Sequence, residues 1–150
     1  MLITFCLLAT LLAIAVTDVR HRRIPDMLSL PLIAAGLALA AGQVWLGAPS
    51  QVLNDRVIGA AVGYLIFAAI GSAFFRLRGT EGLGLGDAKL LAAAGAWLGW
   101  QMLPALVLIA AVGGLAQVGV QALRSRNPDG TLAFGPWLAL GFSVLWVFAT

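Results

Sequence analysis

Six apolar segments, joined by short connections, make up nearly all of this chain of 150 residues and restrict the folds that it can adopt. The segments run from Met1 to Thr17, Met27 to Leu46, Val57 to Phe75, Ala88 to Trp100, Leu103 to Leu123 and Leu132 to Phe148. A helix needs about 20 mostly apolar residues to cross a bilayer. The sequence therefore predicts an all-α integral membrane protein, with residues 1–150 forming a single polytopic domain of about six transmembrane helices.

The composition excludes several other classes of protein. Hydrophobic residues make up 61% of the chain and charged residues 10%, against roughly 45–50% and 25% in soluble domains. Disordered chains are poor in apolar residues, so disorder is excluded as well. Cys6 is the only cysteine and His21 the only histidine, which excludes an intramolecular disulfide, a multi-cysteine zinc site and a histidine-rich metal cage. We therefore expect no metal, no cofactor and no nucleic-acid partner, and a lipid bilayer as the surroundings.

The basic residues predict how the helices are oriented. No basic residue precedes the first apolar segment and Arg20 follows it, which favours a retained first helix over a cleaved signal peptide. Basic residues collect on the cytoplasmic side of membrane proteins. Alternation of six helices places eight of the nine on that side and only Arg56 on the other. The eight are Arg20, Arg22, Arg23, Arg76, Arg78, Lys89, Arg124 and Arg126. Both termini are then expected on the outer, periplasmic side.

Two of the six acidic residues stand out because they adjoin apolar segments. Asp55 and Asp129 lie in sequences that favour turns, and Asp26, after Pro25, suits a helix N-terminus. Asp18 directly extends the first apolar segment, and Asp87 opens the fourth. Ionisable residues at membrane depth are candidates for function. Their structural alternatives are a helix N-cap for Asp87 and a charged boundary residue for Asp18.

The predicted topology puts both of these carboxyls on the cytoplasmic side, where they could act on one water. Two carboxyls that share a water do not both ionise: one holds a proton while the other stays charged. The charged carboxyl takes a proton from water as the water attacks a carbonyl, and the protonated one hydrogen-bonds to the carbonyl oxygen. This chemistry is aspartic proteolysis. The glycines from Gly82 to Gly86 would let an unwound peptide approach the backbone closely.

Three stretches resemble the type IV prepilin leader peptidases, which are Gly-x-Gly-Asp intramembrane aspartyl proteases. They are TDVRHRRIPD from Thr17 to Asp26, EGLGLGDAKLLAA from Glu81 to Ala93, and FGPWLA from Phe134 to Ala139. The resemblance implies that Asp18 and Asp87 are the catalytic pair. It implies substrate-binding or loop-shaping roles for Gly84, Gly86, Lys89 and Pro25. It also implies an enzyme of the bacterial inner membrane that removes the short basic leader of type IV prepilins or type II secretion pseudopilins, cutting after a glycine on the cytoplasmic side.

The sequence departs from the family pattern at several points. Many members carry a further cytosolic region with four zinc-binding cysteines and methylate the new N-terminus, and the single cysteine here leads us to expect neither zinc nor methylation. Asp26 replaces a common asparagine and Ala133 a common proline. Two other functions stay open. One is a small transporter or solute-binding protein with Asp18 and Asp87 as ligands in a broken helix, and the other is a non-catalytic secretion subunit.

Overall fold

The computed structural model describes residues 1–21, 24–78, 84–123 and 134–149. Six α-helices lie within these residues: α1 Leu2–His21, α2 Asp26–Trp45, α3 Gln51–Arg78, α4 Leu85–Leu98, α5 Leu103–Leu123 and α6 Gly135–Ala149. A single 3₁₀ turn, Trp100–Met102, joins α4 to α5, and these residues include no β-strand. The predicted all-α class is confirmed, and a helix occurs at each of the six predicted segments.

Four helical stretches in the described part of the chain are long and apolar enough to cross a membrane. They are Leu2–His21, Asp26–Trp45, Gln51–Leu77 and Trp100–Leu123, and the shorter apolar helix Gly135–Ala149 accompanies them. Large apolar side chains on these helices are widely exposed, among them Leu12, Leu65 and Leu115. Soluble proteins rarely expose so much contiguous apolar surface, so this surface is suited to lipid.

Helix α4 lies at the centre of the bundle. Its 14 residues span about 21 Å, which is less than the roughly 30 Å of a bilayer's hydrocarbon core. All side chains from Leu90 to Trp97 are buried, because α2, α3 and α6 pack around the helix. A helix that is apolar on every face is one that other helices enclose. Helix α4 is therefore an enclosed helix that is too short to cross the hydrocarbon core by itself.

Close backbone contacts fix the position of α4 against α3 and α2. A Cβ atom on Gly59 of α3 would lie 2.7 Å from the Gly95 carbonyl oxygen of α4, and one on Gly36 of α2 would lie 2.5 Å from the Trp97 ring. The Trp97 indole N–H donates a buried hydrogen bond to the Leu32 carbonyl oxygen at 2.8 Å. Small residues let membrane helices approach closely, and here they do so on two sides of the central helix.

Two helix boundaries differ from the predicted ones by four residues or more, and each changes the place of an acidic residue. Helix α1 continues to His21 rather than ending at Thr17, so Asp18 belongs to its last turn. Helix α3 begins at Gln51 rather than Val57, so the interpretation of Asp55 as a turn residue is wrong. The Asp55 carboxylate accepts hydrogen bonds from the Trp100 indole at 3.0 Å and the Gln101 amide at 2.9 Å, which stabilise it within the helix.

Some predicted features fall outside the described residues. They are Arg22, Arg23, the stretch 81–83 with Glu81 and Gly82, Arg124, Arg126, Asp129 and Ala133. The inward and outward orientation of the helices stays a prediction.

Candidate active site

Asp18 is a buried carboxylic acid in the last turn of α1. Its exposed fraction is 7%, and Asp18 and Ser29 are the buried polar or charged side chains of the described residues. The backbone N–H of Gly135, the first residue of α6, donates a hydrogen bond to the Asp18 carboxylate. A Cβ atom on Gly135 would lie 2.5 Å from Asp18 Oδ2. The start of α6 therefore covers this carboxyl in direct contact.

Asp87 lies in the first turn of α4 and is partly buried. Gly84 is the N-cap residue of α4, with extended backbone at φ −72° and ψ 145° typical of that position. The Gly84 N–H donates to the Asp87 carboxylate, and the Asp87 N–H donates to the Gly84 carbonyl at 3.1 Å. The first of these bonds draws the Asp87 side chain back over the helix N-terminus. The N-cap residue is Gly84 and not Asp87, which binds the N–H of the cap residue from the third helical position.

The structure brings the two carboxyls together. Asp18 and Asp87 are close enough for their charges to repel each other. Helix α6 packs against both α1 and α4, and its first residue contacts Asp18. The site is therefore the meeting point of three helix ends: the last turn of α1, the first turn of α4 and the first turn of α6. Repulsion between two carboxylates favours a state in which one carboxyl holds a proton and the other is ionised, and this is the state that acid–base chemistry on a water needs.

Gly86 and Pro25 shape the contact between the two aspartate motifs. A Cβ atom on Gly86 would lie 2.9 Å from the Cβ of Ile24, which is buried beneath the first turn of α4. Pro25 is the N-cap of α2, and its carbonyl accepts the N–H groups of Leu28 at 3.1 Å and Ser29 at 3.3 Å. A side chain on Gly86 would separate the two motifs; the substrate-binding or loop-shaping roles of Gly86 and Pro25 stay predictions.

Gly84 has a different surrounding from Gly86. A Cβ atom added to it would meet nothing closer than 3.8 Å, and its φ of −72° suits any residue. Packing therefore does not explain the glycine. The residue is exposed, which leaves its backbone open to solvent or to a ligand beside Asp87.

Lys89 forms an ion pair with Asp26. Its ammonium group donates to Asp26 Oδ1, and the exposed fractions of the two side chains are 22% and 58%. Asp26 does begin α2, as predicted for a helix N-terminal residue. The family resemblance implied a substrate-binding or loop-shaping role for Lys89, which stays a prediction; the structure shows that Lys89 links α4 to the first residue of α2.

The described residues contain no group of three or more histidine, cysteine or acidic side chains that could hold a metal ion.

Comparison with known proteins assigns the family. Residues 5–118 match the Type IV leader peptidase family. The chain belongs to this family. It is 44% identical over 137 residues to the prepilin leader peptidase/N-methyltransferase of Escherichia coli, covering 91% of the chain and 57% of that protein. It is 47% identical over 150 residues to the protein of the same name from Burkholderia pseudomallei, covering 99% of the chain and 47% of that protein.

These matches cover nearly all of the chain but only about half of each relative. A third relative of the same name, from Aeromonas salmonicida, is 43% identical over 141 residues, covering 91% of the chain and 46% of that protein. The chain thus spans about half the length of the curated relatives it matches. No solved structure matches the chain significantly. Family membership and the apolar helices together make this a multi-pass membrane protein, and both aspartates lie within the matched residues.

Proposed function

We propose that this member of the type IV leader peptidase family is an aspartic endopeptidase with Asp18 and Asp87 as its catalytic acids. The observation that carries the proposal is the pairing of the two carboxyls where α1, α4 and α6 meet. Its substrates are type IV prepilins or type II secretion pseudopilins. The bond cut follows the glycine that ends the short basic leader.

The two carboxyls supply the proton transfers that peptide hydrolysis needs. The ionised carboxyl takes one proton from water while the water oxygen bonds to the scissile carbonyl carbon. The protonated carboxyl donates a hydrogen bond to the carbonyl oxygen, where negative charge develops. A proton then passes to the leaving nitrogen, the carbon–nitrogen bond breaks, and the products are a carboxylic acid and an amine; the new carboxylic acid then gives its proton to solvent or to the amine. The pair ends with one proton between its two members, as it began.

The surroundings of the pair suit an extended peptide at a membrane surface. A scissile carbonyl within a helix is hydrogen-bonded, so the substrate must be unwound where it is cut. Gly84 offers open backbone beside Asp87, and Gly86 keeps the first turn of α4 against Ile24. We place the site at the cytoplasmic face of the bacterial inner membrane, with both chain termini outside, on the distribution of basic residues.

Cleavage of a prepilin-type substrate by the full chain in membranes or detergent tests the proposal. We expect the wild type to cut after the leader glycine. Asp18→Asn and Asp87→Asn should each lower the rate by about 100- to 10,000-fold, with insertion and thermal stability unchanged. Asp55→Asn is the matched control, because Asp55 binds Trp100 and Gln101 beyond the far end of α4. Full activity in either site variant would contradict the proposal.

A further inference from the structure

The third sequence motif, from Phe134 to Ala139, contacts the site through Gly135. Gly135 donates its backbone N–H to the Asp18 carboxylate. Its α-carbon lies so close that an added Cβ would be 2.5 Å from Oδ2 and 2.9 Å from Cγ of Asp18. Both distances are shorter than real Cβ atoms show, so no other residue type fits at position 135 unless the carboxyl moves.

The hydrogen-bonding pattern at the start of α6 leaves the Gly135 N–H free to bind this acid. Pro136 has no N–H. The N–H groups of Trp137 and Leu138 both donate to the Phe134 carbonyl, each at 3.1 Å. The first turn of α6 therefore directs its Gly135 N–H out of the helix, toward Asp18. The positive end of the helix dipole points the same way and favours an ionised carboxyl.

A second set of contacts holds the start of α6 in place. Trp137, two residues after Gly135, donates its indole N–H to Gln117 Oε1 of α5 at 2.7 Å. Its ring packs on Gly113 of α5, where a Cβ atom would collide with it. Helix α5 thus holds the first turn of α6 in place, and this first turn contacts Asp18.

We propose that Gly135 is a positioning residue for the reaction. Its N–H orients the Asp18 carboxylate toward Asp87, and its missing side chain leaves the space that the carboxylate occupies. The proposal rests on the proposed function, because it gives Asp18 the part of a catalytic acid. It gives the third motif a role of its own, which is to position the catalytic acid of the first motif.

Kinetics of Gly135→Ala in the full chain test the positioning role. The added methyl group forces the carboxyl to move, and a misplacement of about 1 Å can cost about 100-fold in rate. We expect kcat to fall by about that factor while KM changes little, because the role proposed for Gly135 is to position Asp18 and not to bind the peptide. Gly141→Ala is the matched control: it lies on the same helix and is buried, but its Cβ would meet nothing closer than 3.3 Å. An unchanged kcat for Gly135→Ala, or an equal fall in both variants, overturns the proposal.

A double-mutant cycle measured by thermal unfolding tests the contact without using activity. Gly135→Ala should lower Tm in the wild type but not in Asp18→Ala, where the colliding carboxyl is gone. Gly141→Ala should shift Tm equally in both backgrounds, since distant sites are additive. An equal effect of Gly135→Ala in both backgrounds overturns the proposal. A wild-type chain that cuts no prepilin overturns the proposed function, whereas a wild type and a Gly135→Ala variant that cut equally well overturn the positioning role alone.

Discussion

Replacing Gly59 with alanine tests whether backbone contact between α3 and α4 fixes the central helix. A Cβ atom on Gly59 would lie 2.7 Å from the Gly95 carbonyl oxygen, 2.8 Å from the Trp100 nitrogen and 2.9 Å from the Gly99 carbonyl carbon. All three neighbours are backbone atoms, so no side chain can rotate away. Ordinary van der Waals contact begins at 3.4 Å. To lengthen the 2.7 Å distance to that value, α3 and α4 would have to separate by about 0.7 Å.

The magnitude follows from two opposing effects. Overpacking a buried contact costs about 1–3 kcal/mol, and rigid backbone neighbours put Gly59→Ala near the upper value. Alanine in place of glycine within a helix stabilises the helix by about 1 kcal/mol, which offsets part of this cost. The net loss in the free energy of unfolding is therefore about 2 kcal/mol. For a chain of this size that corresponds to a fall in Tm of roughly 4–8 °C.

Thermal unfolding of the purified protein in one detergent measures this loss. Gly42→Ala in α2 is the control, because a Cβ there would meet nothing within 4 Å. The control gains the helix preference of alanine without a collision, so its Tm should rise or stay unchanged. If Gly59→Ala proves as stable as Gly42→Ala, the backbones of α3 and α4 are not in contact and the reasoning fails.

Three further predictions concern other features. Lys89→Met should lower the free energy of unfolding by less than about 1 kcal/mol, as loss of a partly exposed ion pair does, and it should reduce cleavage. Lys89→Arg should keep both stability and cleavage near the wild-type values. Unfolding and cleavage assays on the same preparations check this. Trp97→Phe removes the donor to the buried Leu32 carbonyl and should cost about 1 kcal/mol, measured by thermal unfolding. The predicted topology puts the C-terminus on the periplasmic side, so an enzyme reporter that is active only in the periplasm should be active when fused after the last residue. An inactive reporter would contradict this topology.

The sequence predicted the helices and the two acids because both signals are local. Apolar segments of sufficient length mark helices wherever they occur in the chain. Asp18 and Asp87 stood out because each adjoins such a segment, and burial of charge there is costly. The boundary at Gln51 was missed because a helix can continue past the apolar part of its sequence. The polar first turns of α3 are stabilised by the bonds from Trp100 and Gln101 to Asp55.

The contacts around the acids were not predictable because they join residues far apart in the chain. Lys89 and Asp26 are 63 residues apart, and Trp97 and Leu32 are 65 apart. Which helix faces which depends on packing in three dimensions, which a single sequence does not record. The third motif contains Gly135, but the sequence did not show that its partner is Asp18, because that contact depends on how α6 packs against α1.

The position of the acids at helix ends follows from the cost of burying a carboxyl. An apolar interior disfavours a carboxylate unless it is hydrogen-bonded. Within a helix the backbone N–H groups are already bonded, whereas those of the first turn are free. Asp87 uses the Gly84 N–H at the start of its own helix. Asp18 lies at the C-terminal end of α1, where the helix dipole disfavours negative charge, so it needs a donor from elsewhere. The first turn of α6 supplies that donor through Gly135, and an acid pair in this bundle therefore requires three helix ends rather than two.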